Sequence, residues 1–158
     1  MPTPIEAIRG VLNASQILPN LVAGGQPQRA HLEAFKAAGG QVVVDIRAPT
    51  EPRPLNEPET TRALGLEYAN VPVGPTPLTD ELMEQLLGVL RRHAGDSVFF
   101  HCASANRTGG VLIPLLILDH GFDEEDAVAL AKRSGLRGPE LVQWGVDYAR
   151  RHRPPSAG

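Results

Sequence analysis

The chain alternates short apolar runs with longer segments in which apolar residues recur at helical spacing. Residues 41–46 and 98–101 are rich in valine and phenylalanine, which is typical of strands that are covered on both faces. Residues 21–23 and 66–71 are weaker strand candidates. Because these runs alternate with helical patterns, the sequence predicts an α/β fold in which a small central parallel or mixed sheet is flanked by helices.

Capping residues and glycines mark where the predicted helices begin and end. Thr79 begins an amphipathic helix that stops at Gly95, and Asp123 begins another that continues to residue 133. Pro114 lies about two turns into the helix after Cys102, so we expect a kink or a local defect there. Residues 4–12 are predicted to form a short helix or turn, and the other predicted helices cover residues 27–38, 60–64 and 139–148.

Two proline-rich segments, residues 48–58 and 72–77, are predicted to be surface loops. With 158 residues, the chain is long enough for one domain with a single hydrophobic core. We expect this domain to cover residues 1–153 and to be followed by a disordered tail over residues 154–158.

Composition and charge argue against several partners. The formal net charge of −3 gives no sign of a nucleic-acid-binding surface. The apolar run 111–118 is shorter than the roughly 20 residues that cross a bilayer, and residues 1–10 show no secretory signal. A single cysteine forms no internal disulfide and suits a reducing compartment. We therefore expect a cytoplasmic protein that binds neither nucleic acid nor membranes.

Candidate chemistry is concentrated in residues 101–110, which read HCASANRTGG. Cys102 follows a predicted strand and precedes a helix, so backbone N–H groups and the positive end of the helix dipole point into this loop. The same field favours the reactive thiolate of a cysteine. Arg107 adds a planar fork of donors that suits phosphate or another oxyanion. The segment therefore predicts a nucleophilic cysteine inside an anion-binding loop.

The other residues of this loop have supporting interpretations. Ser104 and Thr108 carry hydroxyls that would hydrogen-bond a thiolate or orient water, or are ordinary polar loop residues. Asn106 would bind the oxyanion or hold the loop closed. His101 is interpreted as a loop support rather than a metal ligand, since no second histidine or carboxylate follows at ligand spacing. The predicted phosphate-binding residues are Ala103, Ser104, Ala105, Asn106, Arg107 and Thr108.

Two further segments are predicted to reach the same edge of the sheet, because binding sites in such folds lie beyond the carboxyl ends of the strands. Asp45 and Arg47 follow one strand, and Asp80 begins the helix after the second proline-rich loop. Asp45 and Asp80 are the candidate general acids, although a first-turn charge explains Asp80 equally well. Arg47 would either assist substrate binding or pair with Glu51.

Residues 101–109 resemble the signature of the cysteine-dependent protein tyrosine and dual-specificity phosphatases, which is His-Cys, five residues, Arg and Ser or Thr. This chain has four residues between Cys102 and Arg107. It is more similar to a bacterial subgroup of phosphatase-like domains, once a family of unknown function, that includes the beta-lactamase hydrolase-like domain. The loop of that subgroup reads His-Cys-x-Ser-Gly-Asn-Arg, and residues 24–27, 43–47 and 68–73 resemble its other motifs in the same order.

The resemblance implies a phosphatase that acts through a phosphocysteine on Cys102 and needs neither metal nor organic cofactor. Its substrate would be a phosphorylated protein or a small phosphorylated metabolite. Two positions depart from the family pattern. Ala105 replaces a glycine, which costs about 1 kcal/mol if that position has a positive φ. Gly74 lies where the superfamily places its general-acid aspartate.

Two other functions stay open at this point. The short loop matches that of rhodanese-like sulfurtransferases, in which Cys102 would carry a persulfide. The two departures from the pattern also fit a module that binds a phosphorylated partner without turning it over.

Overall fold

The structure, a computed structural model, describes residues 2–153, so the disordered tail expected at 154–158 lies outside the described residues. The strands are Ser15–Leu18 (β1), Leu21–Gly24 (β2), Val42–Asp45 (β3), Glu67–Asn70 (β4) and Val98–His101 (β5). The helices are Pro4–Ala7 (α1), Arg29–Ala37 (α2), Glu57–Leu64 (α3), Asp80–Arg92 (α4), Asn106–Pro114 (α5), Glu124–Arg133 (α6) and Pro139–His152 (α7). No helix within residues 2–153 is long and apolar enough to cross a membrane.

The strands form one five-stranded mixed sheet in the order β1-β2-β5-β3-β4. The neighbours β2, β5, β3 and β4 are parallel, and β1 is antiparallel to β2. The predicted fold class is therefore confirmed. The sequence patterns did not predict β1, an edge strand in which only Ile17 is buried.

Both faces of the sheet are apolar, as the continuous hydrophobic runs predicted. Because side chains alternate along a strand, Val43 and Phe99 face a cluster formed with α1–α3. Val44 and Phe100 face the larger cluster formed with α4–α7. The sheet is thus a buried middle layer between two groups of helices.

Several helix boundaries follow local sequence signals. The hydroxyl of Thr79 accepts a hydrogen bond from the N–H of Leu82 (3.1 Å), and the carboxylate of Asp123 accepts one from Asp126 (2.8 Å). Beyond Pro114, a π-helical turn over Leu115–Asp119 continues α5. The predicted defect is thus present, since a proline has no N–H to continue the regular ladder.

Several predicted helix boundaries are wrong. Helix α4 ends at Arg92 rather than at Gly95, and helix α7 continues to His152 rather than ending at residue 148. Helix α2 begins at Arg29 rather than at residue 27. Helix α3 begins at Glu57 rather than at residue 60, because the side chain of Asn56 accepts a hydrogen bond from the N–H of Glu59 (3.2 Å) and caps an earlier first turn. This shift places Glu57 in the first turn of a helix instead of in a surface loop.

Candidate active site

Cys102 lies directly after β5, at the carboxyl edge of the sheet. Its N–H donates to the carbonyl of Gly24 (3.2 Å), and its side chain is buried. Its Sγ lies 3.9 Å from Oγ1 of Thr108, a buried residue in the first turn of α5. The sulfur therefore sits at the N-terminal end of α5, where backbone N–H groups and the helix dipole favour a negative charge.

Ala105 precedes α5 with φ 69° and ψ 13°, in the left-handed region. The position that the sequence comparison marked as usually glycine thus has a positive φ. An alanine in this conformation destabilises the folded state by about 1 kcal/mol relative to glycine. Its fully buried methyl group is held beside Gly135, where an added Cβ would lie 3.0 Å from Ala105 Cβ.

Arg107 joins the cysteine loop to the two loops that follow β3 and β4. Its Nη1 and Nη2 donate to the two carboxylate oxygens of Glu51 (2.8 and 3.0 Å), and Nη1 also donates to the carbonyl of Val73 (3.0 Å). The structure therefore brings together the ends of β5, β3 and β4, as the sequence predicted.

Glu51 is held as a carboxylate by several donors. The hydrogen bonds from Arg107, from the N–H of Ala48 and from Arg47 lower the pKa of Glu51 to about 2. The same pairing with Glu51, together with the nearby side chain of Cys102, raises the pKa of Arg107. Of the two roles expected for Arg47, the pairing with Glu51 is present (Nε to Oε1, 3.1 Å).

His101 is completely buried and paired with a carboxylate. Its Nε2 lies 2.5 Å from Glu57 Oε2, and its Nδ1 lies 3.1 Å from the carbonyl oxygen of Cys102. Burial alone would lower the pKa of His101, but the hydrogen bond and charge of Glu57 and the charge of Asp45 raise it. The protonated ring can thus donate on both nitrogens and fix the carbonyl at the start of the cysteine loop.

These contacts form a continuous chain of hydrogen bonds between the two ends of the cysteine loop. Gln26 links the His101–Glu57 pair to the contacts of Arg47, because its Nε2 donates to Glu57 (2.8 Å) and its Oε1 accepts from Arg47 (2.7 Å). The chain of hydrogen bonds runs from the carbonyl of Cys102 through His101, Glu57, Gln26, Arg47 and Glu51 to Arg107. We call these residues, with Asp45, Arg53 and Tyr68, the carboxylate network.

The two candidate acids differ in their surroundings. The buried carboxylate of Asp45 accepts from the N–H of Arg47 (2.9 Å), Arg53 Nη2 (2.6 Å) and the Tyr68 hydroxyl (2.6 Å). Burial and the hydrogen bond to Asp45 raise the pKa of Tyr68. Asp80 lies in the first turn of α4 and pairs with Arg151. Neither assignment as an acid is tested by these contacts, and both stay predictions.

Asp45, Glu57 and His101 also form the one cluster of potential metal ligands found within residues 2–153, with ligand atoms within 4.8 Å of one another. No carboxylate follows His101 at ligand spacing along the chain, but Asp45 of β3 and Glu57 of α3 approach it in the fold. Protein groups already occupy these ligand atoms, however. A cation would have to displace the donors on Arg53, Tyr68 and Gln26, so the cluster suits hydrogen bonding better than metal binding.

The opposite side of the cysteine loop contacts the segment before α7. Nη2 of Arg137 donates to Ser104 Oγ (2.9 Å), and the side chain of Asn13 donates to the Ser104 carbonyl (2.9 Å). Asn106 Oδ1 accepts from the N–H groups of Arg137 (2.8 Å) and Gly138 (3.0 Å). Asn106 thus holds the loop against the start of α7, which is the second of the two roles expected for it.

Two residues of this site carry no signal in the sequence. Glu57 lies in a stretch whose prolines indicate a surface loop, and its partner His101 is 44 residues away. Arg137 precedes a Gly-Pro pair that predicts only the start of a helix. A candidate list taken from the strand ends alone therefore misses both.

Several solved structures share this fold. A candidate phosphatase of the DUF442 group from Shewanella putrefaciens CN-32 has 19% sequence identity and a TM-score of 0.78, over 94% of this chain and 98% of that chain. The core catalytic domain of the PP-IP phosphatase SIW14 from S. cerevisiae has 14% identity and a TM-score of 0.73, over 86% and 85% of the chains. PTPMT1, solved in complex with PI(5)P, has 17% identity and a TM-score of 0.73, over 87% and 95%.

The sequence comparisons add nothing to this result, since no protein-family model and no curated protein matches the chain. The resemblance noted in the sequence is confirmed at the level of structure. The chain has the fold of the cysteine-dependent protein tyrosine and dual-specificity phosphatases.

Proposed function

We propose that this protein is a cysteine-dependent phosphatase that hydrolyses phosphate monoesters through a phosphocysteine intermediate. One observation carries the proposal. The buried Sγ of Cys102 lies over the N-terminal end of α5, in a loop closed by Arg107 and anchored to the ends of two neighbouring strands.

The charges around the loop support an ionised nucleophile. Four cations, Arg47, Arg53, Arg107 and protonated His101, face three carboxylates, those of Asp45, Glu51 and Glu57. A thiolate on Cys102 supplies the fourth negative charge. Because buried charges are costly unless they are paired, this balance favours the thiolate that nucleophilic attack requires.

Arg107 keeps donors for the substrate. A guanidinium has five N–H groups, and three of those on Arg107 donate to Glu51 and Val73. The N–H of Nε and the second N–H of Nη2 donate to no nitrogen or oxygen acceptor within residues 2–153, and the side chain of Cys102 lies within reach of the guanidinium. These two N–H groups form a planar fork that suits two oxygens of a phosphoryl group.

The reaction takes place in two steps. The Cys102 sulfur attacks phosphorus, a P–S bond forms, and the ester P–O bond breaks as the leaving oxygen departs with its electron pair and takes up a proton. Water then attacks phosphorus and gives a proton back to the carboxylate that protonated the leaving group, the P–S bond breaks, and inorganic phosphate and the thiolate are released. Arg107 and the loop N–H groups stabilise the equatorial oxygens in both steps, and Ser104 or Thr108 orients the water.

The proton donor in the first step is Asp45 or Asp80. Asp45 is buried in the carboxylate network and accepts hydrogen bonds from Arg53 and Tyr68, whereas Asp80 is half-buried at the start of α4. An aryl phosphate, whose leaving group departs with little protonation, is therefore the appropriate first substrate. The physiological substrate belongs to the class of phosphorylated proteins or small phosphorylated metabolites.

The test is turnover of 4-nitrophenyl phosphate by the protein and by Cys102→Ser, with folding checked by circular dichroism. We expect slow turnover that vanadate inhibits and that the serine variant loses by at least about 10³-fold, because its hydroxyl is a far weaker nucleophile. Full activity in the serine variant would overturn the mechanism.

The short loop favours sulfur transfer as a second candidate function, since four residues separate Cys102 from Arg107. In that case Cys102 gains the mass of one sulfur atom on incubation with thiosulfate and passes the sulfur to cyanide. Phosphatase turnover without either result dismisses this candidate. Affinity for phosphate esters without any turnover would indicate a binding module instead.

A further inference from the structure

Arg137 lies beside the cysteine loop without being part of it. Its Nη2 donates to Ser104 Oγ (2.9 Å) and its Nη1 to the carbonyl of Gly135 (3.2 Å). Ser104 is two residues after Cys102, and two residues span at most about 7 Å. The guanidinium therefore contacts the edge of the loop in which Cys102 would hold a phosphoryl group, at one of the predicted phosphate-binding residues.

The backbone holds Arg137 firmly in this place. Its own N–H and that of Gly138 donate to Asn106 Oδ1. Gly135 has φ +125°, and a Cβ there would lie 3.0 Å from the Ser104 carbonyl oxygen and from Ala105 Cβ. The segment is thus packed directly on the cysteine loop, and the position of Arg137 is a property of the fold.

The surroundings of Arg137 differ from those of the other arginines at the site. Arg47, Arg53 and Arg107 each pair with a carboxylate. Arg137 is exposed, and within residues 2–153 no carboxylate oxygen lies within 4.0 Å of its guanidinium. Its acceptors are a hydroxyl and a carbonyl, which are neutral, so its charge is not balanced.

We propose that Arg137 binds a second anionic group of the substrate, so that the preferred substrate is a phosphate monoester with a carboxylate or another phosphate close to the reacting phosphate. This inference rests on the proposed phosphatase function and narrows its substrate class. Ser104 takes part, because its oxygen accepts from Arg137 and its hydroxyl hydrogen is left to donate to the substrate.

Matched aryl phosphates test this selectivity. Each of the 2-, 3- and 4-carboxyphenyl phosphates is compared with the carbamoylphenyl phosphate of the same shape, which lacks the charge. For at least one isomer, we expect kcat/KM to be higher for the carboxyphenyl phosphate than for the carbamoylphenyl phosphate. Arg137→Met should lower the ratio of these two kcat/KM values about fivefold to tenfold. Arg137→Lys keeps the charge without the fork and should retain part of the ratio.

Two further variants control for charge. Arg92 is an exposed arginine in the last turn of α4, at the opposite edge of the sheet, so Arg92→Met should leave the ratio unchanged. Glu140 is exposed in the first turn of α7, and its Oε2 lies 3.5 Å from the position of a Cβ on Gly138. Removing this nearby negative charge in Glu140→Gln should raise the ratio slightly.

Binding separates a failure of this inference from a failure of the proposed function. Cys102→Ser is titrated calorimetrically with phenylphosphonate and with 1,3-phenylenebisphosphonate, neither of which needs turnover. The inference is supported if Cys102→Ser binds the bisphosphonate more tightly than phenylphosphonate and the added substitution Arg137→Met abolishes this difference. This outcome does not require that the protein hydrolyses an ester. If Arg137→Met weakens the binding of phenylphosphonate and of the bisphosphonate by the same factor, the residue only supports Ser104 and the inference is wrong.

Discussion

The cysteine loop lies between two sides that handle charge differently. On the β3 side, the carboxylate network pairs each cation with an acid, and Asp45, Glu57 and His101 are fully buried. On the α7 side, formed by Asn13, Asn106, Gly135 and Arg137, the contacts are hydrogen bonds to neutral groups. One side is a closed ionic framework, and the other leaves a cation exposed.

Burial explains the contrast. A charge that is removed from water must be paired, since an unpaired buried ion costs several kcal/mol (about 3–5 when one partner of a pair is lost). The β3 side therefore fixes the loop, and most of its polar groups are already occupied, apart from the donors that Arg107 keeps for the substrate. Arg137 is exposed to water, so its charge needs no partner in the protein. Its donors therefore stay available to a ligand. Thus rigidity comes from the buried side and selectivity from the exposed one.

The strongest way to break the β3 side is Glu57→Ala. The substitution leaves His101 buried beside Asp45 without its closest partner and removes the acceptor of Gln26. We expect the free energy of unfolding, measured in urea at neutral pH, to fall by about 3–5 kcal/mol.

Glu59→Ala is the matched control, because Glu59 is exposed in the first turn of the same helix. It should cost no more than about 1 kcal/mol, the value of a first-turn charge. Equal losses in the two variants would mean that the pair with His101 contributes little to the framework.

The α7 side is tested by Gly135→Ala, with Gly121→Ala as its control. Both glycines have positive φ values, +125° and +70°, but only Gly135 has neighbours that a Cβ would meet, with three atoms at 2.9–3.0 Å. We expect a loss of about 1 kcal/mol for Gly121→Ala and about 2–3 kcal/mol for Gly135→Ala, because steric overlap adds to the backbone strain.

Gly135→Ala should also displace the segment that carries Arg137. The preference for carboxyphenyl phosphates should therefore fall in Gly135→Ala and stay unchanged in Gly121→Ala. If both variants lose the same stability and neither changes this preference, the packing between the two segments does not position Arg137.

The sequence predicts well what depends on local signals. The helices that begin at Thr79 and Asp123 follow from side-chain caps, and the helical defect follows from Pro114. The cysteine loop follows from an apolar strand next to a motif with its own chemistry. Each of these features is decided within a few residues, so the pattern contains the necessary information.

What the sequence does not predict depends on distant partners. The edge strand β1 has one buried residue, and its pairing with β2 is visible only in the folded sheet. Glu57 is polar and lies among prolines, yet it is buried because His101 and Gln26 reach it from other elements. A buried carboxylate is identified by its partners, and linear spacing does not show them.

The smallest expected effect concerns Glu51, which links the β3 side to Arg107. Its pKa is lowered to about 2 in the folded protein from an ordinary value of 4.5. A group with a lowered pKa contributes stability above its unfolded value, and this contribution is lost as the pH falls through its folded value. The contribution is therefore complete above about pH 4.5 and disappears towards pH 2. Because 27% of the Glu51 side chain is exposed, water screens the pair and keeps its contribution moderate.

Glu51→Gln removes this charge while it keeps the shape of the side chain. We expect the difference in unfolding free energy between the protein and the variant to be constant from pH 7 to about pH 5 and to shrink steadily below that. The measurement is a set of urea titrations at fixed ionic strength. A difference of the same size at pH 3 and pH 7 would show that Arg107 is held by packing rather than by charge. In that case the charged contacts of the β3 side would end at Glu51 and would not include the cysteine loop.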